Sequence, residues 1–292
     1  MNRWLAIANP AAGSRGAARR LAHGLAATVS AGIEIAETRG PGDAVRLARQ
    51  GSGYDGIVVV GGDGTIAEVL NGMDRRRQEL ALMPAGHGNC LARDLGVATP
   101  AAAVAAFRAA RTVAIDLMHA NIEFADGRVE ARLCASTLAV GYVAEVVAVG
   151  RQRLGWLGRY AYATAALAVR PRRRRLNVGV DASAGARALT NVVINNTAHL
   201  ANFRAFRHAR LDDGSLDVME SDFGWPRQLL HNLAVLARSD RFGPSAVWQA
   251  PSLELRCELP GRLMVDGEFA HGVARVRVHC EPAGVRCRAA PR

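Results

Sequence analysis

The chain contains no lysine, so its positive charge is carried entirely by arginine, in an overall formal charge of +11. A basic chain calls for an anionic partner: nucleic acid, nucleotide or an acidic membrane surface. Aromatic residues are scarce, at 5%, and do not alternate with basic ones, which argues against nucleic acid. Cys90, Cys134, Cys257, Cys280 and Cys287 are odd in number and form no CxxC. They exclude a disulfide framework and a zinc site and fit a reducing compartment. Long apolar runs are missing as well. Met1 to Ala8 is too short for a signal peptide, and Leu133 to Ala144 falls well under the ~18–20 residues of a membrane span. No GxxxxGK[ST] exists, and Gly51 to Gly56, which fits GxGxxG, precedes a strand instead of following one.

The most informative stretch that is present is Ile57 to Gly72, IVVVGGDGTIAEVLNG. Ile57 to Val60 is β-branched and apolar and predicts a strand buried on both faces of a parallel sheet. Gly61, Gly62 and Gly64 allow close backbone approach. Thr65 to Leu70 predicts a helix that Asn71-Gly72 stops. A strand, a glycine turn and a helix N-terminus together make an anion site, for phosphate above all. Asp63 within the turn repels a bare phosphate, so it implies a divalent cation between them or work on a neighbouring group. The alternative is an ordinary turn with Asp63 or Thr65 capping the helix.

Around this stretch the pattern alternates: strands at Trp4 to Ala8, Ile33 to Glu37, Leu80 to Met83 and Val113 to Met118, with helices between them. That predicts a parallel α/β sheet in three layers, with ligands at the carboxyl ends of its strands. The strand ends at Asn9, Thr38, Gly61 and Gly86 share that rim. Beyond about residue 119, short strands, among them Ala120 to Phe124, Leu253 to Cys257, Arg262 to Val265 and Val273 to His279, are separated by Asp126-Gly127, Asp213-Gly214, Pro260-Gly261 and Asp266-Gly267 and predict an antiparallel β domain. Helices interrupt it at Tyr142 to Val149, Leu157 to Val169 and Arg227 to Ala237. The expected division is an α/β domain over 1–118, this β domain over 119–281, and a tail over 282–292 that returns to the first domain.

GGDGTIAEVLNG resembles the signature of the diacylglycerol kinase catalytic domain family, which includes bacterial lipid kinases, sphingosine kinases and ceramide kinases. Four further blocks follow in the family's order: NPAAG at 9–13, PAGHGNCLARDLG at 84–96, LDDGSLDV at 211–218 and VDGE at 265–268. The resemblance implies a nucleotide domain, a lipid-binding β-sandwich and a cleft between them. It implies transfer of the γ-phosphoryl group of ATP, with Mg²⁺, to a lipid hydroxyl of diacylglycerol, sphingoid-base or ceramide type. It assigns nucleotide contacts to Asn9, Pro10, Gly13, Thr38, Gly61, Gly62, Asp63, Gly64, Thr65, Gly86, His87, Gly88 and Asn89. Asp266 and Glu268 would supply the catalytic base from one side of an extended strand, Glu268 ahead, with Asp63 orienting phosphates. A structural Mg²⁺ would sit on the Asp213 side chain and the backbone carbonyls of Arg210 and Ser215.

Two positions depart from the family. His87 stands where threonine is usual, and Cys90 where an aspartate or similar polar residue is usual. They leave a catalytically weak or inactive nucleotide- and lipid-binding homologue as one alternative, and a kinase of a soluble acceptor such as NAD as another. RQRLGWLGRYAY at 151–162 and Arg172 to Arg175 after Pro171 mix arginines with apolar rings. They are expected to rest on an anionic membrane. The expected location is cytoplasmic, peripherally on the inner membrane face. The expected partners are a lipid substrate at the membrane and no nucleic acid, with a homodimer left open.

Overall fold

In the computed structural model, which describes residues 3–14, 16–29, 32–86, 88–172, 174–180, 187–200, 203–236 and 243–290, strands and helices alternate first. The order is β1 (Arg3–Ala8), α1 (Ala17–Thr28), β2 (Gly32–Glu37), α2 (Asp43–Gln50), β3 (Gly56–Gly61), α3 (Asp63–Leu70), β4 (Glu79–Pro84), α4 (Cys90–Asp94) and α5 (Pro100–Ala109). β1 pairs in parallel with β2 and β3, and β3 with β4. β3 is therefore internal, and all its residues are buried, as its unbroken apolar run requires. Helices close over the sheet with small faces: α1 buries Ala18, Ala22 and Leu25, one and two turns apart. α5 starts where its sequence says, with Thr99 accepting from the Ala102 amide at 3.2 Å and Pro100 in the first turn.

The second part is mostly antiparallel. It comprises β5 (Thr112–Phe124), β6 (Val129–Cys134), β7 (Thr137–Gly141), α6 (Tyr142–Gln152), a 3-10 turn (Gly155–Tyr160), α7 (Ala161–Ala168), β8 (Arg174–Gly179), β9 (Arg187–Leu189), β10 (Asn191–Asn195) and the two-residue pair β11 (His199–Leu200) and β12 (Phe203–Arg204). β13 (Leu216–Ser221), α8 (Trp225–Leu236), β14 (Ala246–Ala250), β15 (Ser252–Val265) and β16 (Glu268–Arg288) complete it. Leu117 packs with the core under the parallel sheet, and its neighbour Met118 with the core of the antiparallel part.

Several predicted strands merge. β5 runs through both Val113 to Met118 and Ala120 to Phe124 without a break. β15 joins Leu253 to Cys257 with Arg262 to Val265 across a bulge. β16 extends far past Val273 to His279, and its end pairs in parallel with β4, Arg286 beside Glu79 and Cys287 beside Leu80. A register shift between Glu281 and Val285, with Ala283 at φ 52°, breaks the alternation that marks a strand in sequence. The helix predicted over 157–169 is instead the 3-10 turn followed by α7.

Asn71, read from sequence as a helix stop, also joins the two parts. Its side-chain amide donates to the Leu133 carbonyl and accepts from the Leu133 amide, each at 3.1 Å, as a strand neighbour would. Asn71→Ala leaves that backbone unpaired. We expect a loss of about 1–3 kcal/mol in urea unfolding; no change in midpoint would deny the contact any weight.

Candidate active site

At the carboxyl end of β3 the backbone turns at Gly61-Gly62 into α3, and at the end of β4 it turns at Ala85-Gly86. The two turns are pressed together. The Gly61 carbonyl accepts from the Ala85 amide at 2.9 Å, and a Cβ on Gly86 would stand 2.7 Å from the Gly62 Cα. Gly13 closes against the same loop: at φ +71° a Cβ there would meet the Ala85 oxygen at 2.3 Å. Asn9 orders the third turn, donating from Nδ2 to Thr65 Oγ1 at 2.9 Å and accepting from the Ala11 amide at 3.0 Å. Thr38 is held by its amide on the Ala8 carbonyl at 2.9 Å.

These turns border a cleft of ≈ 1590 Å³ that reaches into the antiparallel part. Asn9, Gly13, Thr38, Gly62, Asp63, Gly64, Thr65, Gly86 and Gly88 line it. Pro10, Gly61 and Asn89 are not among the lining residues; Asn89 donates at 2.7 Å to the carbonyl of Gly86, which does line the cleft. His87 lies outside the described residues. The far end is apolar, with Val143, Val147, Phe206, Met219 and Met264 among its lining. One small ligand usually occupies ~300–1,000 Å³, so two substrates fit.

Asp63 caps neither its own helix nor an empty space. Its Oδ1 accepts from the Cys90 amide at 2.9 Å, and the Leu91 amide also reaches it, so it caps α4. The Cys90 thiol adds a hydrogen bond, so cysteine joins the carboxylate's network without supplying charge. Burial and the Asp266 charge push the Asp63 carboxyl up to about 6, against the pull of those amides. A group raised from about 4 to about 6 binds its proton more tightly folded than unfolded. Without divalent cation, stability should thus fall as pH rises from about 4 to about 6 and level off above. Thermal melts of Asp63→Asn should lack that slope; an unchanged profile would assign it elsewhere.

Asp266 and Glu268 do not project from one side of an extended strand, as the spacing suggested. Asp266 and Gly267, at φ 46° and 87°, are the two turn residues between β15 and β16. The Asp266 carboxylate, 5% exposed, accepts from the amides of Ala135 at 2.8 Å, Ser136 at 3.0 Å and Thr137 at 2.8 Å. Burial pushes its pKa up and the amides oppose the shift. With its oxygens so engaged, Asp266 holds the turn that carries Glu268. Glu268 is exposed on the cleft. Arg151 donates to the Gly267 carbonyl and lies 3.5 Å from Glu268 Oε1. The turn abuts the glycine rim: a Cβ on Gly64 would lie 3.7 Å from the Asp266 oxygen and 3.8 Å from Glu268 Oε1.

Asp213, Arg210 and Ser215 share one exposed turn, in which Asp213 Oδ1 accepts from the Ser215 amide at 3.0 Å. Buried Asp116 supports it, accepting from Gly214 at 2.7 Å and from Ala283 at 2.8 Å. Among the described residues no three His, Cys, Asp or Glu side chains gather as a metal cage. A cation on Asp213 would rest on one carboxylate oxygen, backbone carbonyls and water, a set that suits Mg²⁺.

Sequence reasoning missed Glu68, Tyr162 and Asp116. Glu68 holds the start of α2 through the amides of Gly42 at 2.9 Å and Ala44 at 3.1 Å. Its place one turn after Gly64 was the available signal. Tyr162 lines the cleft where the charges of Asp63 and Arg151 both act on it, a contact no local pattern announces.

Residues 3–120 match the model of the diacylglycerol kinase catalytic domain. The chain is 36% identical over 100 residues to a diacylglycerol kinase of Mycobacterium tuberculosis, covering 32% of each protein. It is 37% identical over 103 residues to one of Bacillus subtilis, covering 33% of this chain and 34% of that one. The matched stretch thus spans about a third of those relatives' length. The solved structure of a diacylglycerol kinase from Bacillus anthracis strain Sterne superposes with a TM-score of 0.78 at 20% identity, over 99% of this chain and 97% of that one, which shows a shared fold. Residues 3–120 therefore carry the likeness to the diacylglycerol kinase catalytic domain, and the rest of the chain shares the fold of that solved structure.

Proposed function

We propose that the protein is an ATP- and Mg²⁺-dependent lipid kinase, transferring the γ-phosphoryl group to a lipid hydroxyl of diacylglycerol, sphingoid-base or ceramide type. The observation that carries this reading is the nearness of Gly64 to the Asp266–Glu268 turn, which sets the glycine rim against an exposed carboxylate in a cleft with an apolar end. The amides at 61–65 and the α3 N-terminus take the phosphates. Glu268 takes the hydroxyl proton, and Arg151 steadies the turn that carries it. Asp63 is the acidic neighbour that would hold Mg²⁺ on the phosphates, since its crowding by Asp266 is what a cation relieves. Mg²⁺ bound there supplies charge neutralisation. Labelled ATP offered with diacylglycerol, sphingoid base, ceramide and phosphatidylglycerol in mixed micelles tests the reading. Labelled lipid is expected; nucleotide binding without transfer to any acceptor favours the inactive alternative.

The same reading brings the cleft to a membrane. No described helix is long and apolar enough to cross one. Trp156 is 80% exposed, and Tyr160 on the same 3-10 turn, Leu167 on α7, and Leu230 and Leu233 on α8 are exposed too. The inner faces of α7 and α8 line the cleft through Ala166 and Asn232. Arg153, Arg170 and Arg172 stand exposed nearby in the chain. Trp156→Ala is expected to weaken sedimentation with phosphatidylglycerol vesicles about tenfold, with lesser loss on neutral vesicles. Equal sedimentation on both would remove this face from the membrane contact.

A further inference from the structure

α4 links the phosphate rim to the opposite wall of the cleft. At its first residue the Cys90 amide is held by Asp63; at its last, Asp94 is held by the antiparallel part. Asp94 accepts from the Ala198 amide through one oxygen and from His199 Nδ1 through the other. The carboxylate fixes the imidazole with Nδ1 protonated and leaves Nε2 as the nitrogen available to a ligand. His199 lines the cleft, and so do Arg93 beside Asp94 and Arg204 opposite His199 in the β11–β12 pair. Five helical residues advance about 6 Å along the axis, so α4 sets Asp94, which holds His199, about that far from the end that Asp63 caps. The charge that meets phosphate in this chain must come from arginine, histidine or a metal, because there is no lysine.

We propose that His199, oriented by Asp94, contacts phosphate during the reaction: its imidazolium Nε2–H donates to a phosphate oxygen, flanked by Arg93 and Arg204. This rests on the kinase reading. In the transfer the acceptor oxygen bonds to the γ-phosphorus and the bond to the β–γ bridging oxygen breaks. ADP leaves with that electron pair, and the hydroxyl proton passes to Glu268. His199 neither gains nor loses a proton; it offers charge and a hydrogen bond where negative charge gathers. The phosphate is that of the nucleotide or of a phospholipid acceptor.

The test compares His199→Ala, His199→Gln and Asp94→Asn with wild type. Initial rates are taken with each lipid, and ATP and ADP binding is measured calorimetrically without lipid. Asp94 is bonded to His199, Arg204 is the register partner of His199, and Arg93, Arg207 and His208 line the same cleft. His199→Ala should lower kcat/KM about 10²-fold, and His199→Gln, which keeps a donor, should recover part of it. Asp94→Asn, which loosens the imidazole's orientation, should lower kcat/KM by less than His199→Ala does. Weaker ATP binding without lipid assigns the contact to the nucleotide. A raised KM for phosphatidylglycerol alone, with diacylglycerol unaffected, assigns it to the acceptor headgroup. Folded His199→Gln with wild-type rates, KM values and nucleotide affinity would overturn the proposal and leave His199 a structural link. The binding arm reads the nucleotide contact even if no lipid proves to be a substrate.

Discussion

Glu268→Gln is expected to cut phosphoryl transfer by about 10²–10⁴-fold, with nucleotide affinity and melting temperature close to wild type. The exchange keeps size and hydrogen bonding and removes only the capacity to accept a proton. Little stability is at stake, because Glu268 is exposed and its ion pair with Arg151 is exposed too, at 3.5 Å. The turn itself is held by Asp266 and by the Arg151 bond to the Gly267 carbonyl, neither of which the substitution touches. Full activity in Glu268→Gln would mean the base is another group.

Asp266→Ala is expected to behave in the opposite way, through the fold. Three amides lose their acceptor in a buried turn, and a buried unsatisfied donor costs about 1–3 kcal/mol. Partial rehydration makes a total of about 3–5 kcal/mol reasonable. Alanine is also less at ease than aspartate at φ 46°. Asp266→Asn should fall between, since one oxygen can still serve Ser136 and Thr137 while the amide nitrogen faces the Ala135 N–H. Urea unfolding reads the difference. A stable, inactive Asp266→Ala would place Asp266 in the chemistry.

The two carboxylates show where sequence stops informing. The VDGE block locates both, but roles at i and i+2 depend on whether the backbone extends or turns. Asp-Gly in a two-residue turn, flanked by β15 and β16, sends them to different surroundings. The β3 strand was legible because a run buried on both faces has one composition, and the glycines because a close approach tolerates no Cβ. Asn71 and Asp116 were not, since their partners, Leu133 and Ala283, are set by how the two parts meet. The end of β16 was hidden for a related reason. A parallel pairing with β4 is long-range, and the bulge after Glu281 erases the local period that would have announced it. Asp63 was legible as a site residue but not as the cap of α4, because nothing within the turn itself points 27 residues ahead to Cys90.

The most direct measurement is hydrogen exchange of the intact chain, first with ATP and Mg²⁺ and then with lipid micelles added. Nucleotide should slow exchange at 61–65 and 88–91, and lipid should extend protection to 161–168 and 225–234. Protection confined to surfaces away from the cleft, with both turns exchanging as in the free protein, would contradict the account.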